Sequence, residues 1–140
     1  MKKIVIAEDE DLQRHYIVKD LKTERASQYD VVGEARDGIE LLNLWKTHKP
    51  DIIIADLNMP KLSGYDAIVR IRKVDTEVKI IVLTSIDETT SIRELYSLVD
   101  SYLVKSKETP AELLKTIDKL ALFGGSEFRK YILNVIFTPD

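Results

Sequence analysis

The sequence contains no cysteine among its 140 residues. That excludes disulfide scaffolds, thiolate zinc sites and cysteine nucleophiles, and the chain fits a reducing, cytoplasmic compartment. Basic charge is not in excess: 21 Lys+Arg stand against 24 Asp+Glu, for a net charge of -3. A domain that grips nucleic acid through a broad basic face is therefore disfavoured, and no direct nucleic-acid binding by this chain is expected. No apolar run approaches the roughly 18 residues of a membrane span, so no membrane insertion is expected. The N-terminus, Met1-Lys2-Lys3 then Ile4-Val5-Ile6-Ala7, starts like a signal peptide but meets Glu8-Asp9-Glu10-Asp11 too early for an h-region. It reads as a buried strand. Internal repeats and low-complexity tracts are absent as well.

What is present is a chain long enough for one domain, able to bury about two thirds of its unfolded surface. Its 44% hydrophobic and 32% charged residues are globular values and argue against disorder. Short β-branched apolar runs recur at Ile4–Ala7, Tyr29–Glu34, Asp51–Asp56, Val78–Thr84 and Ser101–Lys105. Ile52-Ile53-Ile54-Ala55 and Ile80-Ile81-Val82-Leu83 do not alternate, as expected of strands covered on both faces of a parallel sheet. Val31-Val32-Gly33 is weaker and belongs nearer an edge. Between the runs lie helix starts. Asp37 and Thr109 each precede a Glu by three positions, Pro110 suits a first helical position, and Ser63 can cap a helix through Arg72. Leu113, Leu114, Ile117, Leu120 and Ala121 form one stripe of the last such helix. Repeated β-then-α alternation predicts a doubly wound α/β domain. Trp45 with Leu41, Leu42 and Leu44 reads as packing of the second helix.

In an open parallel sheet, ligands bind beyond the carboxyl ends of the strands. Glu8-Asp9 follow the first predicted strand, Asp56 ends the third, Thr84 the fourth and Lys105 the fifth. Each residue alone has an ordinary reading as a turn former, cap or surface group; their recurrence at successive strand ends points to a site. Crowded carboxylates repel, and a hard cation such as Mg2+ relieves that repulsion while keeping several waters. Asp9 and Asp56 read as direct ligands, with a backbone carbonyl just after Asp56 and with Glu8 acting through a water. A carboxylate so placed can attack an activated phosphoryl group to give an aspartyl phosphate. Such transfer needs positioning and charge neutralisation, which Lys105 and the Thr84 hydroxyl can supply. His15 and His48 lie within helical segments, so no general base is offered.

These stretches resemble the receiver domains of two-component response regulators. The resemblance rests on Ile4-Val5-Ile6-Ala7-Glu8-Asp9, on Asp56-Leu57-Asn58-Met59-Pro60 with Gly64 eight residues past the aspartate, on Val82-Leu83-Thr84-Ser85, and on Tyr102-Leu103-Val104-Lys105. It covers about residues 1 to 122. It implies a flavodoxin-like five-stranded sheet of order 2-1-3-4-5, and a switch that catalyses its own phosphorylation and dephosphorylation rather than a metabolic enzyme. Asp56 would accept a phosphoryl group from a histidine kinase or phosphotransfer protein, with Mg2+ held by Glu8, Asp9, Asp56 and the Asn58 carbonyl. Thr84 and Lys105 would contact the phosphoryl group, Tyr102 would swing inward on activation to control an output partner, and Asn58 and Ile86 would gate dephosphorylation. Departures from the family pattern are Glu8 for aspartate, Ser106 where proline is usual, and Tyr96-Ser97-Leu98-Val99-Asp100-Ser101 in place of small Ala and Gly residues.

The receiver is expected over residues 1–123, and residues 124–140 as a C-terminal amphipathic extension. Gly124-Gly125 reads as a hinge. Phe128, Tyr131, Ile132, Val135 and Ile136 recur at helical spacing, although Tyr131–Phe137 also suits a strand. The stripe is expected to dock in cis or to form a homodimer interface. The rival readings are a receiver fragment of a longer DNA-binding transcriptional regulator, an aspartate-nucleophile phosphohydrolase, and a phosphate-independent protein-binding module. Against the phosphohydrolase, Asn58 stands where those enzymes carry a second acid.

Overall fold

The structure is a computed structural model of the chain, and it describes residues 1–85, 95–105 and 109–122. The expectations for Ile86, Ser106 and the extension over 124–140 lie outside the described residues. Element order is β1 (Lys2–Ala7), α1 (Asp11–Glu24), β2 (Tyr29–Ala35), α2 (Gly38–His48), β3 (Ile52–Asp56), α3 (Gly64–Arg72), β4 (Lys79–Thr84), β5 (Ser101–Val104) and α4 (Thr109–Ala121). All strand pairs are parallel and the order is β2-β1-β3-β4-β5. The weakly apolar β2 is an edge strand, and its register against β1 shifts between Ile4 and Val5.

The unbroken apolar runs of the central strands serve two cores at once. Val5, Ala7, Ile53, Ala55, Ile80 and Val82 face one side, where they meet Leu41 and Trp45 of α2 and Ala67, Ile68 and Ile71 of α3. Ile4, Ile6, Ile52, Ile54, Ile81 and Leu83 face the other, against Ile17, Val18 and Leu21 of α1 and Leu113, Ile117 and Leu120 of α4. A strand's side chains alternate in direction, so a run that is apolar at every position must be covered on both faces. The central strands β1, β3 and β4 are thereby fixed in depth, and their carboxyl ends finish level with one another.

The predicted caps form as hydrogen bonds. Asp37 Oδ1 accepts from the Glu40 amide at 2.8 Å, while Glu40 Oε2 accepts from the Arg36 amide at 3.3 Å. Ser63 Oγ accepts from the Asp66 amide at 3.1 Å. Thr109 is already helical rather than the residue before the helix, a one-residue difference at an end where 3₁₀ and α geometry merge.

Three charged groups, Arg72, Asp75 and Asp100, tie the amino-terminal side of the fold together. The buried Arg72 guanidinium donates to the carbonyls of Leu98, Asp75 and Val78 and, at 2.9 Å, to Asp100 Oδ2. Asp100 Oδ2 also accepts the Ile80 amide at 2.8 Å. Trp45 Nε1 donates to Asp75 Oδ2 at 2.9 Å, and Asp75 Oδ1 accepts the Glu77 and Val78 amides, both at 3.0 Å. Burial works to raise the Asp75 pKa, but these three donors outweigh it and hold the carboxyl below its usual range.

A depressed carboxyl pKa stabilises the fold above the unfolded value and loses that stabilisation as pH falls through the folded one. Trp45→Phe should therefore cost about 1–3 kcal/mol near neutrality, as for a lost hydrogen bond to a charged group. The gap to wild type should shrink as the pH falls below about 4. Denaturant unfolding at several pH values measures both; a gap that stays constant from neutral pH into acid would show that Trp45 acts by packing alone.

Candidate functional site

The level strand ends assemble the site. Ala7 pairs with Ala55, so the next residues, Glu8 and Asp56, emerge side by side from β1 and β3. On the other flank Asp56 pairs with Leu83, Thr84 pairs with Val104, and the Lys105 amide donates to the Thr84 carbonyl at 2.8 Å. The ladder thus delivers Lys105 from β5 to the same edge.

Lys105 Nζ donates to Glu8 Oε1 at 2.8 Å and to Asp56 Oδ2 at 3.0 Å. Glu8 and Thr84 are fully buried and Asp56 nearly so, whereas Asp9 is exposed. Burial, then the adjoining Asp56 carboxylate, push the Glu8 carboxyl up to about 8, with Lys105 opposing. Burial would lower the Lys105 pKa, but its two carboxylate partners win and raise it. The second Glu8 oxygen, Oε2, is buried with no hydrogen-bond partner among the described residues.

Carboxylate oxygens of Glu8, Asp9 and Asp56 all lie within 4.8 Å of one another. Three oxygen donors, one of them orphaned in the interior, suit a hard divalent cation such as Mg2+. Glu8 lies directly beside Asp56, a position from which its carboxylate can face an ion without a bridging water.

The loop after Asp56 is built around the acid. Asp56 Oδ1 accepts the Asn58 amide at 3.2 Å, a local turn typical of aspartate. The Gly64 amide donates to the Leu57 carbonyl at 3.0 Å. A Cβ on Gly64 would stand 1.9 Å from the Asp56 carbonyl oxygen, so only glycine lets α3 start this close to the acid. The exposed side chain of Asn58 is free to face solvent above the site.

Thr84 ends β4 as expected, with its hydroxyl donating to the Ser85 carbonyl at 3.1 Å. Tyr102 is turned outward and is 40% exposed. Its ring lies 5.7 Å from that of Tyr96, with the two hydroxyls 3.3 Å apart. The hydrogen bond to Tyr96, and then burial, raise the Tyr102 pKa.

Three participants escape the sequence reading: the Asn58 amide, Tyr96, and Arg14, whose Nη1 donates to the Glu8 carbonyl at 2.7 Å. Backbone donors carry no sequence signal. Tyr96 occupies a position already conspicuous for lacking a small residue. Arg14 had a signal: a charged residue one helical turn ahead of Ile17 and Val18 on the buried face of α1.

Comparison with known proteins places this geometry. Residues 4–118 match the sequence profile of the response regulator receiver domain. The chain is 30% identical to the chemotaxis protein CheY of Thermotoga maritima over 120 residues, covering 86% of this chain and 98% of that protein. It is 40% identical to an uncharacterized transcriptional regulatory protein, YhcZ, of Bacillus subtilis, covering 81% of this chain but only 52% of that one. Among solved structures it superposes with a TM-score of 0.75 on the response regulator protein TrrA of Thermotoga maritima, determined in complex with Mg2+-BeF. The two are 32% identical, and the match covers 86% of this chain and 99% of TrrA. The profile match runs from the first buried strand into the last helix and takes in the whole carboxyl edge of the sheet, so this chain belongs to the response regulator receiver domain family.

Proposed function

We propose that this receiver takes a phosphoryl group onto Asp56 from a phosphohistidine of a kinase or phosphotransfer protein and changes its surface in response. The observation that carries the reading is the Asp56 carboxylate at the end of the central strand. It is held by the Lys105 ammonium on one oxygen and the Asn58 amide on the other, with Glu8 and Asp9 alongside. In the transfer a carboxylate oxygen bonds to phosphorus as the phosphorus–nitrogen bond breaks, and the electron pair of that bond leaves with the donor imidazole. No side chain here needs to move a proton. Mg2+ held by Glu8, Asp9, Asp56 and the Asn58 carbonyl would neutralise phosphoryl charge.

The remaining roles follow from placement. Lys105 follows the negative charge as it spreads from the carboxylate to the phosphoryl oxygens. The Thr84 hydroxyl exchanges the Ser85 carbonyl for one of those oxygens, and Tyr102 turns inward from Tyr96. The exposed Asn58 side chain can orient an attacking water, while Ile86 can only obstruct it.

A docking place for the donor lies beside Lys105. A groove lined by Gln13, Tyr16 and Ile17 of α1, by Leu83, and by Thr109 and Pro110 of α4 opens next to the lysine. Within it Tyr16 is half exposed. Exposed apolar side chains around a charged centre suit a protein donor better than a small molecule. The output is a protein partner that reads the outward face of β5, where Tyr102 and Val104 are exposed beside the exposed Tyr96 of the preceding turn.

With Mg2+ and acetyl phosphate, wild type should gain one phosphoryl-sized adduct by intact mass, and Asp56→Asn should gain none while remaining folded; equal labelling of both would refute the acceptor. Tyr16→Asp should slow transfer from a phosphorylated kinase or phosphotransfer domain roughly tenfold, the effect of losing one modest interface contact. It should leave the acetyl phosphate rate unchanged, whereas equal slowing with both donors would move the docking place elsewhere. Tyr96→Phe removes one hydroxyl contact worth about 0.5–1 kcal/mol, so the inward population of Tyr102 should rise about two- to fivefold. Fluorotyrosine NMR of Tyr102 reads that population directly.

A further inference from the structure

The turn that presents the first two acids is very short. β1 ends at Ala7 and α1 begins at Asp11, leaving Glu8, Asp9 and Glu10 to make the connection. A turn into a helix is commonly fixed by its N-cap side chain. Here the N-cap is Glu10, and its side chain makes no capping hydrogen bond. The turn is held by other means. The Glu8 amide donates to the Ala35 carbonyl of β2 at 2.9 Å. The Glu8 carbonyl accepts from Arg14 Nη1 at 2.7 Å. Arg14 is 8% exposed, and its other donors reach Asp11 Oδ1 at 2.6 Å and Glu34 Oε1 at 3.2 Å. One planar guanidinium therefore joins the acid-bearing turn, the first turn of α1 and the end of β2, a reach that depends on its rigid fork of donors.

We propose that Arg14 is a positioning residue of the metal site: it fixes the Glu8 carbonyl and so sets how the Glu8 and Asp9 carboxylates face the ion, which it does not touch. The assignment rests on the reading of those two acids as metal ligands. Two effects of opposite sign bear on its size. The Arg14 charge repels a cation, but Asp11 and Glu34 lie against it and quench its field. Loss of orientation remains, and partners that orient metal ligands typically change affinity by about 10–100-fold. Orientation should dominate.

Arg14→Lys separates the two effects, because it keeps the charge and gives up the fork. The test is a calorimetric Mg2+ titration of the full chain, with thermal unfolding in EDTA measured alongside. Arg14→Lys should bind Mg2+ at least about tenfold more weakly than wild type. Saturating Mg2+ should restore its labelling rate by beryllofluoride. Arg14→Gln, which also lacks the fork, should show a loss of the same order. Arg25→Lys serves as the control: Arg25 pairs with Asp118 at 2.9 Å, joining the end of α1 to α4. That variant should melt lower in EDTA yet bind Mg2+ as wild type does. An Arg14 variant that is folded and binds within about twofold of wild type would overturn the assignment, as would equal weakening by Arg25→Lys. A wild type that binds no Mg2+ would instead overturn the metal reading, and this one with it.

Discussion

Two carboxylates buried side by side are the constraint around which this domain is arranged. Were both ionised, two such charges about 4 Å apart at an effective dielectric near 20 would repel by about 4 kcal/mol, and burial together with this repulsion pushes the Glu8 carboxyl up. Glu8 and Asp56 sit within reach of one ammonium group, Glu8 out of contact with water and Asp56 nearly so. Lys105 must therefore come from an element that ends at the same edge, and it crosses a whole strand to arrive. β5 lies two strands from β3, about 9–10 Å at ordinary strand spacing. A flexible four-carbon stem can span much of that distance past β4, where a shorter basic side chain would not. The parallel order, the level strand ends and the half-buried lysine are one solution to a single electrostatic problem. It leaves Glu8 Oε2 buried without a hydrogen-bond partner among the described residues, where an added cation would find a donor.

The sheet was legible from the chain because its strands are apolar at every position. Ile52–Ala55 and Ile80–Leu83 announce two covered faces, and the acids and lysine beyond them stand out by contrast. Asp37 and Ser63 were legible because a cap is a local event, settled within a few residues. The turn after Glu8 was not. Its stability comes from Arg14 and Ala35, which belong to other elements, and no local pattern shows that Glu10 would leave the capping position unused. The pairing of Tyr96 with Tyr102 was likewise hidden, since it depends on how two segments meet in space. The departure from small residues at that place marked the position without revealing its partner.

Arg14 and Lys105 divide two tasks between similar charges. In the proposed transfer Lys105 neutralises: a compact ammonium on a mobile stem can follow a charge that moves. Arg14 holds: its permanent charge is saturated by Asp11 and Glu34, and its planar donors keep backbone and side-chain acceptors in one arrangement. Exchanging the two residues would put a mobile group where rigidity is needed and a rigid one where charge must be followed.

Arg72 lies at the opposite end of the sheet, where it joins α3, the entry to β4 and the Leu98 carbonyl just before β5. Its effect is to hold the lead-in to β5 at Leu98 and Asp100, while the far end of the strand is held to Thr84 through Val104 and the Lys105 amide. Three residues separate the held carbonyl of Leu98 from Tyr102, and β5 is an edge strand with its outer side unpaired among the described residues. Of these two anchors only the one at Thr84 adjoins the acids, through Lys105, and Tyr102 sits between them on the strand that is open along one side.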